Sequence, residues 1–179
     1  EVTVRIRHGR EPAAQAQADA LVAALEAAVP VYSTDGRGVD DLVADELRSR
    51  TLTLAVAESC TGGLLGARLT ARPGSSDYFA GGVITYSNQA KTDLLGVPSG
   101  LLALHGAVSE QVARAMAEGA RDALHADYAL SVTGVAGPDG GTAEKPVGLV
   151  FLGCAGPQGT RVRRGDFPGD RDTVRAFSA

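Results

Sequence analysis

Ser59 closes the run Leu54-Ala55-Val56-Ala57-Glu58, is followed by Cys60-Thr61-Gly62-Gly63, and leads into an apolar helical pattern through Leu64, Leu65, Ala67 and Leu69. The pattern is a strand, a tight turn and a helix start. A small nucleophile at such a turn projects beyond the carboxyl edge of the strand, where the unpaired N–H groups of the helix favour negative charge. Ser, Thr and Gly are equally ordinary at helix starts, because a hydroxyl accepts a bond from an orphan N–H. Ser59 therefore reads as a cap or as a nucleophile, and its surroundings decide.

A serine hydroxyl attacks only when something takes its proton, most often histidine. His105 precedes Gly106 in a loop and His125 ends a helix, so neither follows a strand edge. Lysine is the other choice. At an ordinary value near 10.4, only about one lysine in a few thousand is neutral at pH 7, and lowering it by roughly 3 units costs about 4 kcal/mol. Lys91 can serve if it is buried or lies beside another cation.

Tyr86 ends a second strand just before Lys91, and Thr133 ends a third and opens the glycine-rich loop from Gly134 to Thr142. Each has a plainer reading: a solvated lysine, a packed tyrosine ring, a β-branched strand residue. The loop is either a long connection or a place where backbone approaches a ligand such as phosphate. Cys60 would outcompete Ser59 if it faced the cleft, but its place after Ser59 turns it toward the core. Arg161, Arg163 and Arg164 read as a solvated strand face, whereas Arg171 starts a helix and can reach a phosphate.

The elements that must hold these residues follow in order. Val2–Arg7 alternates as a strand, Pro12 opens an alanine-rich helix to Ala28, and Pro30–Ser33 returns as a short strand. This β-α-β piece is too small to fold alone. The turn cluster 34–38 sets a boundary. Helices follow over 39–50, through Leu64 to Leu69, and over 88–96 and 109–125, with a turn or short helix at 98–104 and strands ending at Ser59, Tyr86 and Thr133. Strands 147–155 and 160–167 form a hairpin before a last helix after Asp170. Alternating strands and helices imply an α/β/α sandwich around a mixed, mostly parallel sheet, whose ligands gather at the strands' carboxyl ends.

The 179 residues suffice for one substantial core, and 44% hydrophobic against 21% charged residues makes that core globular. A net charge of −4, with 4% aromatic residues and no Trp, gives no reason to expect a nucleic-acid partner. Two cysteines, Cys60 and Cys154, make no disulfide framework, and three scattered histidines offer no metal-ligand spacing. No apolar run approaches a membrane span of roughly 20 residues. A cytoplasmic protein, a fragment of a longer chain, without metal or cofactor, is the expectation, and a homodimer its expected assembly.

The segments AESCTGG (57–63), GGVITYSNQAK (81–91), HGAVSEQVA (105–113), SVTGVAGPDGGT (131–142) and EKPVG (144–148) resemble the CinA C-terminal domain family, whose members include nicotinamide-nucleotide amidohydrolases. The resemblance covers about residues 35–179. Residues 1–35 resemble the tail of the small middle domain that precedes it, leaving 36–179 as the amidohydrolase domain. The resemblance implies hydrolysis of nicotinamide mononucleotide to nicotinic acid mononucleotide and ammonia. It makes Ser59 the nucleophile, Lys91 the base assisted by Tyr86, and Thr133 a further polar contact. Cys60, Thr61, Gly62, Gly63, Gly134, Gly137, Gly140, Gly141 and Arg171 would hold the substrate. Two positions depart from the family pattern: Gln89 stands where Glu is frequent, and Asp139 puts a negative charge where the loop usually has Gly. The rival readings are a non-catalytic nucleotide-binding or regulatory module and a hydrolase that depends on Cys60. A Lys91 remote from Ser59 would favour the module, and one within hydrogen-bond reach the enzyme.

Overall fold

A computed structural model describes residues 9–29 and 33–179. The expected strand Val2–Arg7, and all but Ser33 of the strand expected over 30–33, lie outside the described residues. The chain divides into two compact units, one to Glu46 and one from Leu47. The first holds helix α1 (Pro12–Ala28), with Pro12 in its first turn, where a missing N–H breaks no helical bond. It also holds most of α2 (Val39–Ser49), whose acidic residues Asp40 and Asp41 lie at the favourable end of the helix dipole.

The second unit runs β1 (Leu54–Glu58), α3 (Leu64–Thr70), β2 (Phe79–Ile84), α4 (Asn88–Leu95), α5 (Ser99–His105), α6 (Glu110–Ala123), β3 (Tyr128–Gly134), β4 (Leu149–Gly156), β5 (Gly159–Asp166) and α7 (Arg171–Ser178). Its sheet has the order β2-β1-β3-β4-β5. β1 is parallel to β2 and to β3, while β4 is antiparallel to both its neighbours. Four of the five strands thus run one way, in the mixed, mostly parallel α/β arrangement that the alternating pattern implies.

β1 is buried along its whole length, which is why it reads as a nearly unbroken apolar run. Side chains alternate across the sheet. Ala55 and Ala57 enter a core with Leu95, Val97, Leu102, Val112, Met116 and Ala120 from the α4–α6 layer. Val56 enters the opposite core with Leu65, Val132, Val150 and Val174, under α3 and α7. Side chains of Ser87, Ser109 and Asp170 cap α4, α6 and α7 by accepting from Ala90, Val112 and Thr173 amides. α6 presses on the end of α4: a Cβ at Gly119 would fall 2.0 Å from the Leu95 carbonyl oxygen. That close approach fixes the short helix that carries Lys91. Among the described residues no helix is long and apolar enough to cross a membrane.

Candidate active site

Ser59 extends the β1 ladder by one bond, its amide donating to the Val132 carbonyl at 2.9 Å. The alternation along β1 therefore continues into the turn. Ser59 falls in phase with Ala55 and Ala57, toward α4, while Cys60 falls in phase with Val56 and joins the α3–α7 core. One residue of register thus separates the two possible nucleophiles and sends them to opposite faces.

Lys91 comes down on Ser59 from α4. Its ammonium nitrogen lies 3.1 Å from Ser59 Oγ, 2.7 Å from the Thr85 carbonyl and 3.4 Å from the Tyr86 carbonyl. The side chain is 1% exposed, so the surroundings are not those of a solvated lysine. No carboxylate among the described residues pairs with it. Burial pushes the Lys91 ammonium below its ordinary value; a charge on the Cys60 thiol would act the other way. Burial also holds that thiol protonated, its pKa raised to about 11. A neutral amine has two hydrogens and one lone pair. Two carbonyls to receive the hydrogens and a hydroxyl to face the lone pair are what this nitrogen finds.

The buried Cys60 thiol is thus a packing group. In the native protein it is expected to resist alkylation at pH 7 that labels it readily in urea, as thiol mass mapping will read.

Glu58 is a site residue that sequence reasoning did not single out. Its carboxylate is 1% exposed and accepts from the amides of Gly63 at 2.9 Å, Leu65 at 3.1 Å and Gly66 at 2.8 Å. The start of α3 is therefore already occupied by an anion from its own chain. The helix N–H groups expected to face the cleft face Glu58 instead. The signal was present as the one charged residue in an otherwise apolar strand, set before two glycines, Gly63 and Gly66. A Cβ at Gly66 would lie 3.3 Å from the carboxylate, so the helix comes close because that side chain is missing.

The turn itself is held from the other side by Arg175, also not singled out, whose guanidinium donates to the Cys60 carbonyl at 3.2 Å and the Thr61 carbonyl at 3.0 Å. Gly62 and Gly63 take φ of +61° and +105°, the left-handed region that favours glycine. The Gly62 amide donates to the Ser59 carbonyl at 3.2 Å. The Cys60 and Thr61 amides have the Cys60 sulfur, a weak acceptor, beside them. Thr61 is fully buried, so its side chain does not line an open cleft.

The remaining expected residues divide. Thr133 is buried on the Ser59 side of the sheet and donates to the Ala107 carbonyl at 2.8 Å, tying β3 to the loop before α6. Tyr86 is 62% exposed, and its phenol oxygen accepts from Arg171 at 3.1 Å. Tyr86 thus joins Lys91 through its carbonyl, and its phenol is turned to Arg171. Arg171 also donates to the Gly137 carbonyl at 2.7 Å, bridging the glycine-rich loop to the end of β2. The loop glycines have partners within the chain: a Cβ at Gly134 would meet Val150 at 2.6 Å, at Gly137 would meet Val147 at 2.6 Å, and at Gly141 would meet Val147 at 3.0 Å. Gly140 has open space around it and a φ of +86°. Tight packing on the segment entering β4 accounts for three of these glycines, and backbone conformation for the fourth.

The family model for the CinA C-terminal domain matches residues 37–179. A CinA-like protein of Geobacter sp. (strain M21) is 58% identical over 148 residues, covering 83% of this chain and 36% of the relative. One of Koribacter versatilis is 49% identical over 168 residues, 93% of this chain and 41% of the relative. The chain thus spans about a third of the length of the curated relatives it matches. Among solved structures, the competence damage-inducible protein A (ComA) of Klebsiella pneumoniae is similar with 39% identity and a TM-score of 0.75, over 77% of this chain and 86% of that one. The CinA superfamily protein of Escherichia coli gives 34% identity and a TM-score of 0.77, over 84% and 88%. With sequence and fold in agreement, the chain belongs to the CinA C-terminal domain family.

Proposed function

We propose that the chain hydrolyses the carboxamide of nicotinamide mononucleotide, giving nicotinic acid mononucleotide and ammonia, with Ser59 as nucleophile and Lys91 as its base. The observation that carries this reading is the 3.1 Å contact between Lys91 Nζ and Ser59 Oγ, buried and without a carboxylate partner. A binding module has no need to bear the cost of burying an amine against a hydroxyl. The substrate follows from the family's amidohydrolase members.

In this mechanism neutral Lys91 takes the Ser59 proton as Oγ attacks the amide carbon. Of the turn's amides, Gly62 donates to the Ser59 carbonyl and Gly63 to Glu58, so an oxyanion would draw the Cys60 and Thr61 amides away from the weakly accepting Cys60 sulfur. The Lys91 proton then passes to the departing nitrogen, which leaves as ammonia. Water, deprotonated by the same amine, cleaves the ester and restores Ser59. Arg171 uses two nitrogens on Tyr86 and Gly137 and keeps further N–H groups for the nucleotide phosphate. Residues 1–35 are, in the same proposal, the end of a preceding small domain, and the protein acts as a cytoplasmic homodimer.

The test is ammonia release from nicotinamide mononucleotide by the parent and by Ser59→Ala. The expected result is a loss of at least about a thousandfold in kcat with an unchanged melting temperature. Turnover retained in the variant, or absent from the parent, would sink the assignment.

A further inference from the structure

Thr85 is fully buried, and its hydroxyl has no hydrogen-bond partner among the described residues. Leaving a buried hydroxyl unpaired carries a free-energy cost, so one that persists beside a reactive group asks for a reason. Its position supplies one. The Thr85 amide donates to the Glu58 carbonyl at 2.8 Å, continuing the parallel ladder in which Glu58 pairs with Ile84. Thr85 is therefore the neighbour of Ser59 across the strand pair, on the same face as Val83, which packs with Ala55 and Ala57. Lys91 Nζ sits over this pair, bonded to Ser59 Oγ and to the Thr85 carbonyl.

The number of hydrogens on Nζ changes during the reaction proposed above, on which this inference rests. Neutral Lys91 fills its two N–H groups with the Thr85 and Tyr86 carbonyls. When the Ser59 proton moves to Nζ, the amine becomes an ammonium with three hydrogens, while Ser59 Oγ becomes an ester oxygen bonded to the acyl carbon. An ester oxygen is a poor acceptor, and the third hydrogen loses its place. The structure assigns the Thr85 hydroxyl as the acceptor that takes this third N–H, a positioning residue that holds charged Lys91 until the proton leaves with ammonia. The hydroxyl is unpaired in the resting site because its partner exists only after proton transfer.

The charged and titratable groups around Lys91 are few. Among the described residues the thiol of Cys60 is the titratable group felt at Nζ, and burial keeps it neutral. On the facing strand end, Tyr86 presents its carbonyl and turns its phenol to Arg171.

The experiment titrates Lys91 by the ¹³Cε resonance in Ser59→Ala, where the third N–H lacks the serine oxygen as it does in the acyl-enzyme, and in the same background carrying Thr85→Val or Thr85→Ser; melting temperature and steady-state kinetics are read on the two Thr85 variants with Ser59 intact. Valine keeps the shape and removes the acceptor; serine restores it. The expected result is that Thr85→Val lowers the Lys91 titration of Ser59→Ala by about one pH unit, the tenfold change in protonation equilibrium that a hydrogen bond to a charged group supplies. Its kcat falls about tenfold with KM unchanged. Its melting temperature is equal or higher, because an unpaired buried hydroxyl has been replaced by a methyl. Thr85→Ser returns the titration to near that of Ser59→Ala and kcat to near the parent value. Unchanged Lys91 titration in Thr85→Val, or a serine variant that behaves like valine, overturns the assignment. The titration needs no substrate, so absence of turnover in the parent would sink the amidohydrolase reading and leave this one to be decided by the resonance.

Discussion

In the proposed hydrolysis of nicotinamide mononucleotide, Lys91→Met is expected to lower kcat by about a thousandfold, because removal of a general base that activates a hydroxyl commonly costs two to four orders of magnitude. The same variant melts at the parent temperature or above it. Methionine fills the same unbranched volume without an amine to desolvate, at the loss of hydrogen bonds to two carbonyls. Loss of activity and retained stability together separate a catalytic lysine from one that holds the fold. Two pH dependences accompany it. Only neutral Lys91 accepts the Ser59 proton, so kcat/KM of the parent rises with pH through the lowered lysine value. The unfolded chain carries an ordinary lysine that binds a proton over a range in which the folded one does not, so stability also rises with pH between the lowered value and 10.5. Lys91→Met removes that rise, which urea melts at several pH values will register. A parent whose stability has the same pH slope as the variant would contradict a depressed lysine.

Glu58→Ala has the largest expected effect on stability, a loss of about 3 kcal/mol and roughly 10 °C in melting temperature. The cause is local and countable: the Gly63, Leu65 and Gly66 amides lose a buried acceptor, with Leu65 itself buried and the two glycines half-buried. Glu58→Gln keeps one acceptor oxygen but turns an NH₂ toward amides that also donate, so it falls between parent and alanine. Equilibrium unfolding of the three proteins checks the order. An alanine variant as stable as the parent would show that the start of α3 needs no anion.

The course of the chain was largely legible because most elements obey a single period. The helices expected near 39–50, 88–96 and 109–125 and through 64–69, and the five strands from β1 onward, lie within about two residues of their observed ends. Ser59 and Cys60 were separable for the same reason, since the period of two that runs through Ala55 and Ala57 reaches Ser59. The same alternation, applied to Thr85 and Tyr86, would have turned Thr85 toward Ser59 and the phenol away. What periodicity does not carry is which polar atom meets which. Glu58 reads as the polar end of a strand until α3 is laid across it, and Arg175 as one more charge on an amphipathic helix until α7 is placed beside the turn. The Gly134–Gly141 loop misled in the other direction. Glycine signals close approach, but the sequence does not say to what, and here Val147 and Val150 are the neighbours.

The placement of β1 between β2 and β3 ties chemistry to the order of folding. Ser59 is carried by a strand whose partners begin at Phe79 and Tyr128, and Lys91 reaches it only from a helix braced against α6. Until those distant segments have closed on one another, the hydroxyl and the amine are separate, solvated and inert; an unactivated serine and an ordinary charged lysine do nothing to an amide. A nascent or partly unfolded chain therefore lacks the Ser59–Lys91 pair, which exists only once these long-range contacts are made.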